Sequence, residues 1–245
     1  MNDGELLRYA RQILHDDWDI DAQNRLKNSR AIIVGVGGLG CPVAQNLARA
    51  GVGRLTLIDH DTIDVSNLQR QSLFFDGDIG QNKAVTAKNQ LSLHNPFVAI
   101  DVITEQVTQN NADIFGDVLE HTLLIDCTDN FASRDLLNRI ARQNNLPLLS
   151  LSAIGEVGQL ALYTKQTGCY RCVFDGDDDD ARGCADSGVL TSTVAIIASL
   201  GTQVALDWLG RGQNPIANRL LVWQGSTLSL RHLPYQIDEH CPICQ

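Results

Sequence analysis

The stretch from Ala31 to Arg70, AIIVGVGGLGCPVAQNLARAGVGRLTLIDHDTIDVSNLQR, leaves the chain little choice of fold. An apolar, β-branched run, AIIVGV, ends among four glycines, Gly35, Gly37, Gly38 and Gly40. A helical pattern follows, with Leu39, Val43, Leu47 and Ala50 on one face. Pro42 falls in its first turn, and Gly51 and Gly53 mark its end. A second apolar run, RLTLID, closes on Asp59. The order is strand, glycine turn, helix, strand, acid. Glycines let the backbone turn sharply and approach a phosphate, and a helix start offers free N–H groups and a positive dipole end. Asp59 stands roughly 20–25 residues beyond the first glycine, where a carboxylate can accept a hydrogen bond from a ribose hydroxyl. The stretch therefore predicts a bound adenine nucleotide, without saying which nucleotide or what chemistry.

The strand–helix alternation continues past it. Helical patterns cover Lys83 to Leu93, more weakly Asn111 to Leu119, and Phe131 to Gln143; apolar strands cover Val98–Ile103, Thr122–Asp126 and Pro147–Leu151. Such an alternation calls for a mostly parallel sheet with helices on both faces. Ligands in these sheets bind beyond the carboxyl ends of the strands, so Gly37, Asp59 and Asp129 should share one crevice. After Ser152 the pattern changes to an alternating strand, Gly158–Tyr163, a long apolar helix, Val189 to Leu209, and a hairpin of Arg219–Trp223 with Thr227–Leu233. The expectation is an α/β, Rossmann-like fold with an antiparallel C-terminal portion. It divides into a helical segment 1–28, a nucleotide-binding region 29–152 and a C-terminal region 153–245, integrated as one domain.

A net charge of −10 and a pI near 4.9 argue against a nucleic-acid surface, which needs a basic stripe. The apolar runs look interrupted before membrane-spanning length, and MNDGELLRYARQ has no signal-peptide core, so a cytoplasmic protein without a membrane partner is expected. The acidic run Asp175 to Asp180 reads as a solvated loop. The chain has seven cysteines, an odd number that speaks against a disulfide framework. Cys169-x-x-Cys172 and Cys241-x-x-Cys244 have metal-ligand spacing, and four thiolates suit a closed, tetrahedral Zn²⁺ site that pins the C-terminal tail to the body. Redox-active or simply free cysteines are the alternatives.

No G-x-x-x-x-G-K-[ST] loop is present. NAD or FAD would satisfy the glycines, but hydride transfer has no use for Asn67, Arg70, Lys83 and Asp129 around the same crevice. Two cations and a carboxylate suit a triphosphate with Mg²⁺, where they offset charge that develops at phosphorus. These residues belong to a longer set of motifs: RYARQ, VGVGGLG, AGVGRLTLIDHDTIDVSNLQRQ, the Lys83 helix, DCTDN, CYRC, the segment after Cys184 and the terminal CPIC. Over nearly the whole chain they resemble the MoeB/ThiF/HesA group, bacterial relatives of ubiquitin-activating enzymes.

That resemblance implies an adenylyltransferase. Its substrate would be the C-terminal glycine of a small, ubiquitin-like sulfur carrier ending in Gly-Gly, MoaD-like or ThiS-like, activated with ATP for molybdopterin or thiamin synthesis. By the same resemblance Gly37 and Gly38 lie at the phosphates, Asp59 holds the ribose, and Asp61 and Asn130 line the nucleotide site. Asn67, Arg70 and Lys83 contact phosphates, Asp129 binds Mg²⁺, and Arg11 reaches into the partner site of a homodimer. A cysteine desulfurase or sulfurtransferase would supply sulfur, and Cys184 is either a covalent carrier-linking residue or an unreactive one. An NAD- or FAD-linked oxidoreductase and an inactive binding module are the competing readings.

Overall fold

The computed structural model describes residues 1–115, 121–174 and 188–244. Two helices precede the sheet, α1 (Asp3–Ile13) and α2 (Ile20–Lys27). Both have built-in starts. The N–H of Glu5 donates to Asn2 Oδ1 while the N–H of Asn2 donates to Glu5 Oε2, a reciprocal capping box, and Asp19 Oδ1 accepts from the N–H of Ala22. There follow β1 (Arg30–Val34), α3 (Gly40–Ala50), β2 (Arg54–Ile58), α4 (Lys83–His94), β3 (Ala99–Ile103) and β4 (Thr122–Asp126). The chain continues through α5 (Phe131–Gln143), β5 (Leu148–Ile154), β6 (Val157–Tyr163), α6 (Thr191–Leu206), β7 (Arg219–Gln224) and β8 (Ser229–Pro234).

Among the described residues these strands form one eight-stranded sheet in the order β3-β2-β1-β4-β5-β6-β7-β8. The five strands from β3 to β5 run parallel, and β6, β7 and β8 add antiparallel to the β5 edge. Strand order reverses direction between β1 and β4, which opens a crevice at their carboxyl ends. Alternate side chains feed two cores. Ile33, Leu57 and Ile125 face Val43, Leu47 and Ile197 on the side of α3, α4 and α6, whereas Ile32, Val34 and Leu124 face Leu137 and Ile140 of α5. Burial on both faces is why these strands read as unbroken apolar runs rather than alternating ones. The N-terminal helices are tied to the far end of α3: Gln12 Nε2 and Gln23 Nε2 both donate to Ala50 O, at 3.1 and 3.0 Å.

Two expectations change. The weak helix near Asn111 is a 3₁₀ segment, Gln109–Phe115, over the residues described, and the rest of that stretch lies outside them. The long apolar helix forms where expected, but it is not too short to span a membrane: Thr191–Arg211 is long and apolar enough to do so by length and composition. Its Thr, Gly and Asp residues interrupt the run without lowering its mean hydropathy far. It is instead a core helix, with 61% of its most apolar window buried. Its contact with the sheet is close because glycines remove side chains there: a methyl on Gly201 would lie 2.3 Å from Leu151 Cδ2, and one on Gly158 2.2 Å from Ile197 Cγ1.

Candidate active site

A cavity of about 480 Å³ opens at the carboxyl ends of β1, β2 and β4. Its floor is the glycine turn. Gly35 has φ +87°, a left-handed conformation that glycine adopts without strain, and a methyl there would sit 2.8 Å from Cys127 O. A methyl on Gly40 would sit 2.0 Å from Gly35 O, so the turn closes on itself only with glycine at both positions. The helix that follows has no side-chain cap, but the N–H of Cys41 donates to Gly37 O at 3.0 Å and Pro42 has none, so contact with an anion falls to the turn itself, Gly37 to Leu39, which lines the cavity.

Asp59, at the end of β2, is buried and ties the turn to the sheet. Its Oδ2 accepts from the N–H of Val36 at 2.7 Å and its Oδ1 from the N–H of Asp61 at 2.9 Å. Burial pushes its carboxyl above the usual value, and those two N–H donors oppose the shift. An ionised carboxylate has about four lone-pair directions, so capacity remains for a ribose hydroxyl.

The segment after Asp59 carries the cations. Asp64 caps a 3₁₀ turn, Val65–Asn67, by accepting from the N–H of Ser66 at 2.8 Å, and this places Asn67 and Arg70 on the cavity wall. Arg70 Nη1 donates to Ser66 O at 3.0 Å. Its stem lies over Gly38, where a methyl would meet Arg70 Cγ at 3.2 Å. The loop is pinned from behind by Thr191 at the start of α6, whose hydroxyl lies 2.5 Å from Gln69 O and 2.7 Å from Gln69 Oε1. Lys83 is the first residue of α4, a helix capped by Asn82 Oδ1, and its buried Nζ donates to Asp61 Oδ2 at 2.9 Å.

On the opposite wall β4 ends in Asp126, which is fully buried. Its Oδ1 accepts from the N–H and hydroxyl of Thr128, at 3.0 and 2.7 Å, and its Oδ2 from the Ser150 hydroxyl at 2.9 Å. Arg134 Nη2 donates to Thr128 O at 2.8 Å. Together they fix the peptide just before Asp129. Asn130 caps α5 through the N–H of Ser133, so Asp129 projects from a helix start into the cavity. Among the described residues the Asp129 carboxylate takes a single hydrogen bond, from Asn130 Nδ2 at 3.3 Å, and so fits a hard cation.

Gly37, Gly38, Asp59, Asp61, Asn67, Arg70, Lys83, Asp129 and Asn130 thus line one cavity. Arg11 does not: it is exposed on α1, away from the cavity of its own chain. Cys184 lies outside the described residues. Sequence reasoning missed Asp126, Ser150 and Arg134 as a group. The Asp of DCTDN was visible at a strand end, but its partner Ser150 arrives from the neighbouring strand.

The cysteine cluster is a separate centre. Cys169 Sγ lies 3.6 Å from Cys241 Sγ and 4.0 Å from Cys172 Sγ, and Cys172 Sγ lies 3.5 Å from Cys244 Sγ. A tetrahedron with Zn–S bonds of about 2.3 Å has edges of about 3.8 Å, so the four sulfurs stand at metal-site spacing and too far apart for disulfides. Two donors from α5 face the sulfurs: Arg142 Nη2 is 3.0 Å from Cys244 Sγ, and Asn138 Nδ2 is 3.5 Å from Cys169 Sγ. Such donors orient thiolates and offset their charge. One helix therefore has Asp129 and Asn130 at its start and the cysteine cluster along its second half.

Fold and cavity define an α/β protein whose crevice, floored by a glycine turn, brings Arg70, Lys83 and the Asp129 carboxylate to one space. The chain belongs to the ThiF family, whose profile matches residues 9–243. The chain is 38% identical to the molybdopterin-synthase adenylyltransferase of Escherichia coli over 246 aligned positions, covering 100% of this chain and 98% of that one. It is 36% identical to the sulfur carrier protein ThiS adenylyltransferase of the same organism, covering 97% of it. Among solved structures, that of E. coli MccB with ATP superposes with a TM-score of 0.86 over 100% of this chain and 75% of the other, at 22% identity. That likeness supports the fold.

Proposed function

We propose that the chain uses ATP to adenylate the C-terminal glycine of a small, ubiquitin-like sulfur carrier of the MoaD or ThiS kind, releasing pyrophosphate. The observation that carries this reading is the convergence of Arg70, Lys83 and Asp129 on one cavity above the glycine turn, in a chain aligned end to end with adenylyltransferases. The carrier's terminal carboxylate is ionised at neutral pH and is itself the nucleophile, so no side chain need act as a base. Asp59 and the glycine turn hold the adenosine and first phosphate in line. Arg70 and Lys83 neutralise charge as it moves onto the leaving pyrophosphate, and Asn67 orients the phosphate chain. A Mg²⁺ held at Asp129 would supply further charge neutralisation. Lys83 reaches the phosphates by exchanging its Asp61 partner for them. Arg11 completes the site of a second copy in a homodimer, a sulfurtransferase or cysteine desulfurase replaces AMP with sulfur, and the protein works in the cytoplasm.

The test is exchange of labelled pyrophosphate into ATP with a panel of carriers ending in Gly-Gly. Exchange with one carrier and none with a carrier lacking its last glycine is expected. Silence with every carrier would sink the reading.

We further assign Zn²⁺ to the four cysteines. Metal analysis should return one zinc per chain, and stripping it with a chelator should lower the melting temperature by about 10 °C or more. A metal-free protein with an unchanged melting temperature would contradict the assignment.

A further inference from the structure

One face of α5 is bound along its length to the cysteine loops. Phe131, Asp135, Asn138 and Arg142 recur on it at helical spacing. The last two serve the sulfurs: Asn138 Nδ2 and Arg142 Nη2 face Cys169 and Cys244, and Asn138 Oδ1 accepts from the N–H of Tyr170 at 3.1 Å. The first two are held by Arg171, which stands between Cys169 and Cys172. Arg171 Nε donates to Asp135 Oδ1 at 2.6 Å, and its guanidinium lies over the Phe131 ring, 5.4 Å from the centroid. The Tyr170 ring meets Phe131 as well, with centroids 5.7 Å apart. Both members of the ion pair are mostly buried, their side chains 22% and 16% exposed.

Asn138 and Arg142 account for the sulfurs. The contacts of Arg171 fall elsewhere, on the first turns of the helix: Phe131 is the first residue of α5, and Asp129 stands two residues before it. Ser133 and Leu137 of the same helix line the cavity together with Asp129 and Asn130, so α5 stands between the cavity and the cysteine loop. The bonds at Thr128 fix the peptide before Asp129, and Arg171 fixes the helix after it. A carboxylate that holds a cation has to be placed within about 0.5 Å, and helix ends fray unless something grips them. We propose that Arg171 is a positioning residue for the Asp129 carboxylate: it clamps the first turns of α5 at Phe131 and Asp135, and so sets where Asp129 stands in the cavity. The inference rests on the reading of an ATP site with Mg²⁺ at Asp129, and adds to it a link from the cysteine loop to the cavity. Asp135 keeps a second partner, Arg139 Nε at 2.9 Å from its Oδ2, so removing Arg171 leaves no carboxylate stranded and the fold should survive.

The test is calorimetric binding of ATP to the chain, without carrier, in buffers with and without Mg²⁺, for the wild type, Arg171→Ala, Asp135→Asn and Asp129→Asn, with a thermal melt of each. Arg171→Ala should lose roughly tenfold in ATP affinity when Mg²⁺ is present and stay within about twofold of wild type when it is absent, with a melting temperature within a few degrees. Asp135→Asn should lose affinity in the same Mg²⁺-dependent way, and the double variant should bind about as weakly as Arg171→Ala alone. Where Asp129→Asn loses the Mg²⁺-dependent affinity and Arg171→Ala stays within about twofold of wild type, the inference is overturned and the ATP reading stands. Equal losses with and without Mg²⁺ together with a lower melting temperature also overturn it, since they mark a merely structural role. An Asp129→Asn chain that binds ATP in Mg²⁺ as the wild type does removes the cation from Asp129, and a wild type that binds no ATP removes the ATP site; either result takes the inference with it.

Discussion

Arg70→Ala and Lys83→Ala should each reduce carrier-dependent pyrophosphate exchange by roughly a thousandfold, with the protein still folded. Removing one preorganised group that faces developing charge commonly costs about 10²–10³ in rate, and these two face a triphosphate, the most charged part of the substrate. The structure predicts different side effects for the two. Arg70 is partly exposed and makes one hydrogen bond to its own loop, at Ser66 O, so its loss should leave the melting temperature within a degree or two. Lys83 is buried and bonded to Asp61, whose side chain is 54% exposed. Asp61 can therefore turn to water when Lys83 is removed, and the loss of stability should stay modest. Exchange assays paired with thermal melts separate the two effects. Near-normal exchange in both variants would remove these residues from the chemistry.

Gly40→Ala should have the largest effect on the fold of any single methyl added to the chain's glycine turn. The new carbon would lie 2.0 Å from Gly35 O, the backbone of a residue whose N–H donates to Ile58 O at the end of β2 and whose Cα packs against Cys127 just past β4. Neither backbone segment can give way without moving α3 or breaking the turn. A cost beyond about 4 kcal/mol is expected, which appears as insoluble protein or a melting temperature lower by about 10 °C or more. Gly77→Ala is the matched control. Nothing lies within 4 Å of a methyl there, and its backbone is not left-handed, so it should melt within a few degrees of wild type. A Gly40→Ala protein as stable as Gly77→Ala would show that the turn is not built as described.

Much of this was readable beforehand, for reasons visible in particular residues. Strand–turn–helix punctuation is local: Gly35, Gly40 and Gly51 act within a few residues, and the bounds of α3 and α5 follow from caps and glycines next to them. The crevice was readable because parallel topology carries Gly37, Asp59 and Asp129 to the same sheet edge wherever the connecting helices lie. What was not readable depends on contacts across the sheet. Asp126 is explained by Ser150 on the neighbouring strand, and the burial of Lys83 by the packing of α4. The long helix α6 is legible as a helix, but its length of apolar character is not, because glycine and threonine break an apolar run on paper. In space, Gly201 lets that helix sit tightly on β5.

The reading stands or falls on the product. The chain is incubated with Mg·ATP and a carrier ending in Gly-Gly, and the carrier is examined by mass spectrometry under conditions that preserve mixed anhydrides. The account predicts one AMP on the carrier, on its terminal glycine carboxylate, formed with release of one pyrophosphate and absent with Arg70→Ala. A carrier that never gains AMP while the protein holds a nicotinamide or flavin in the same cavity would contradict it.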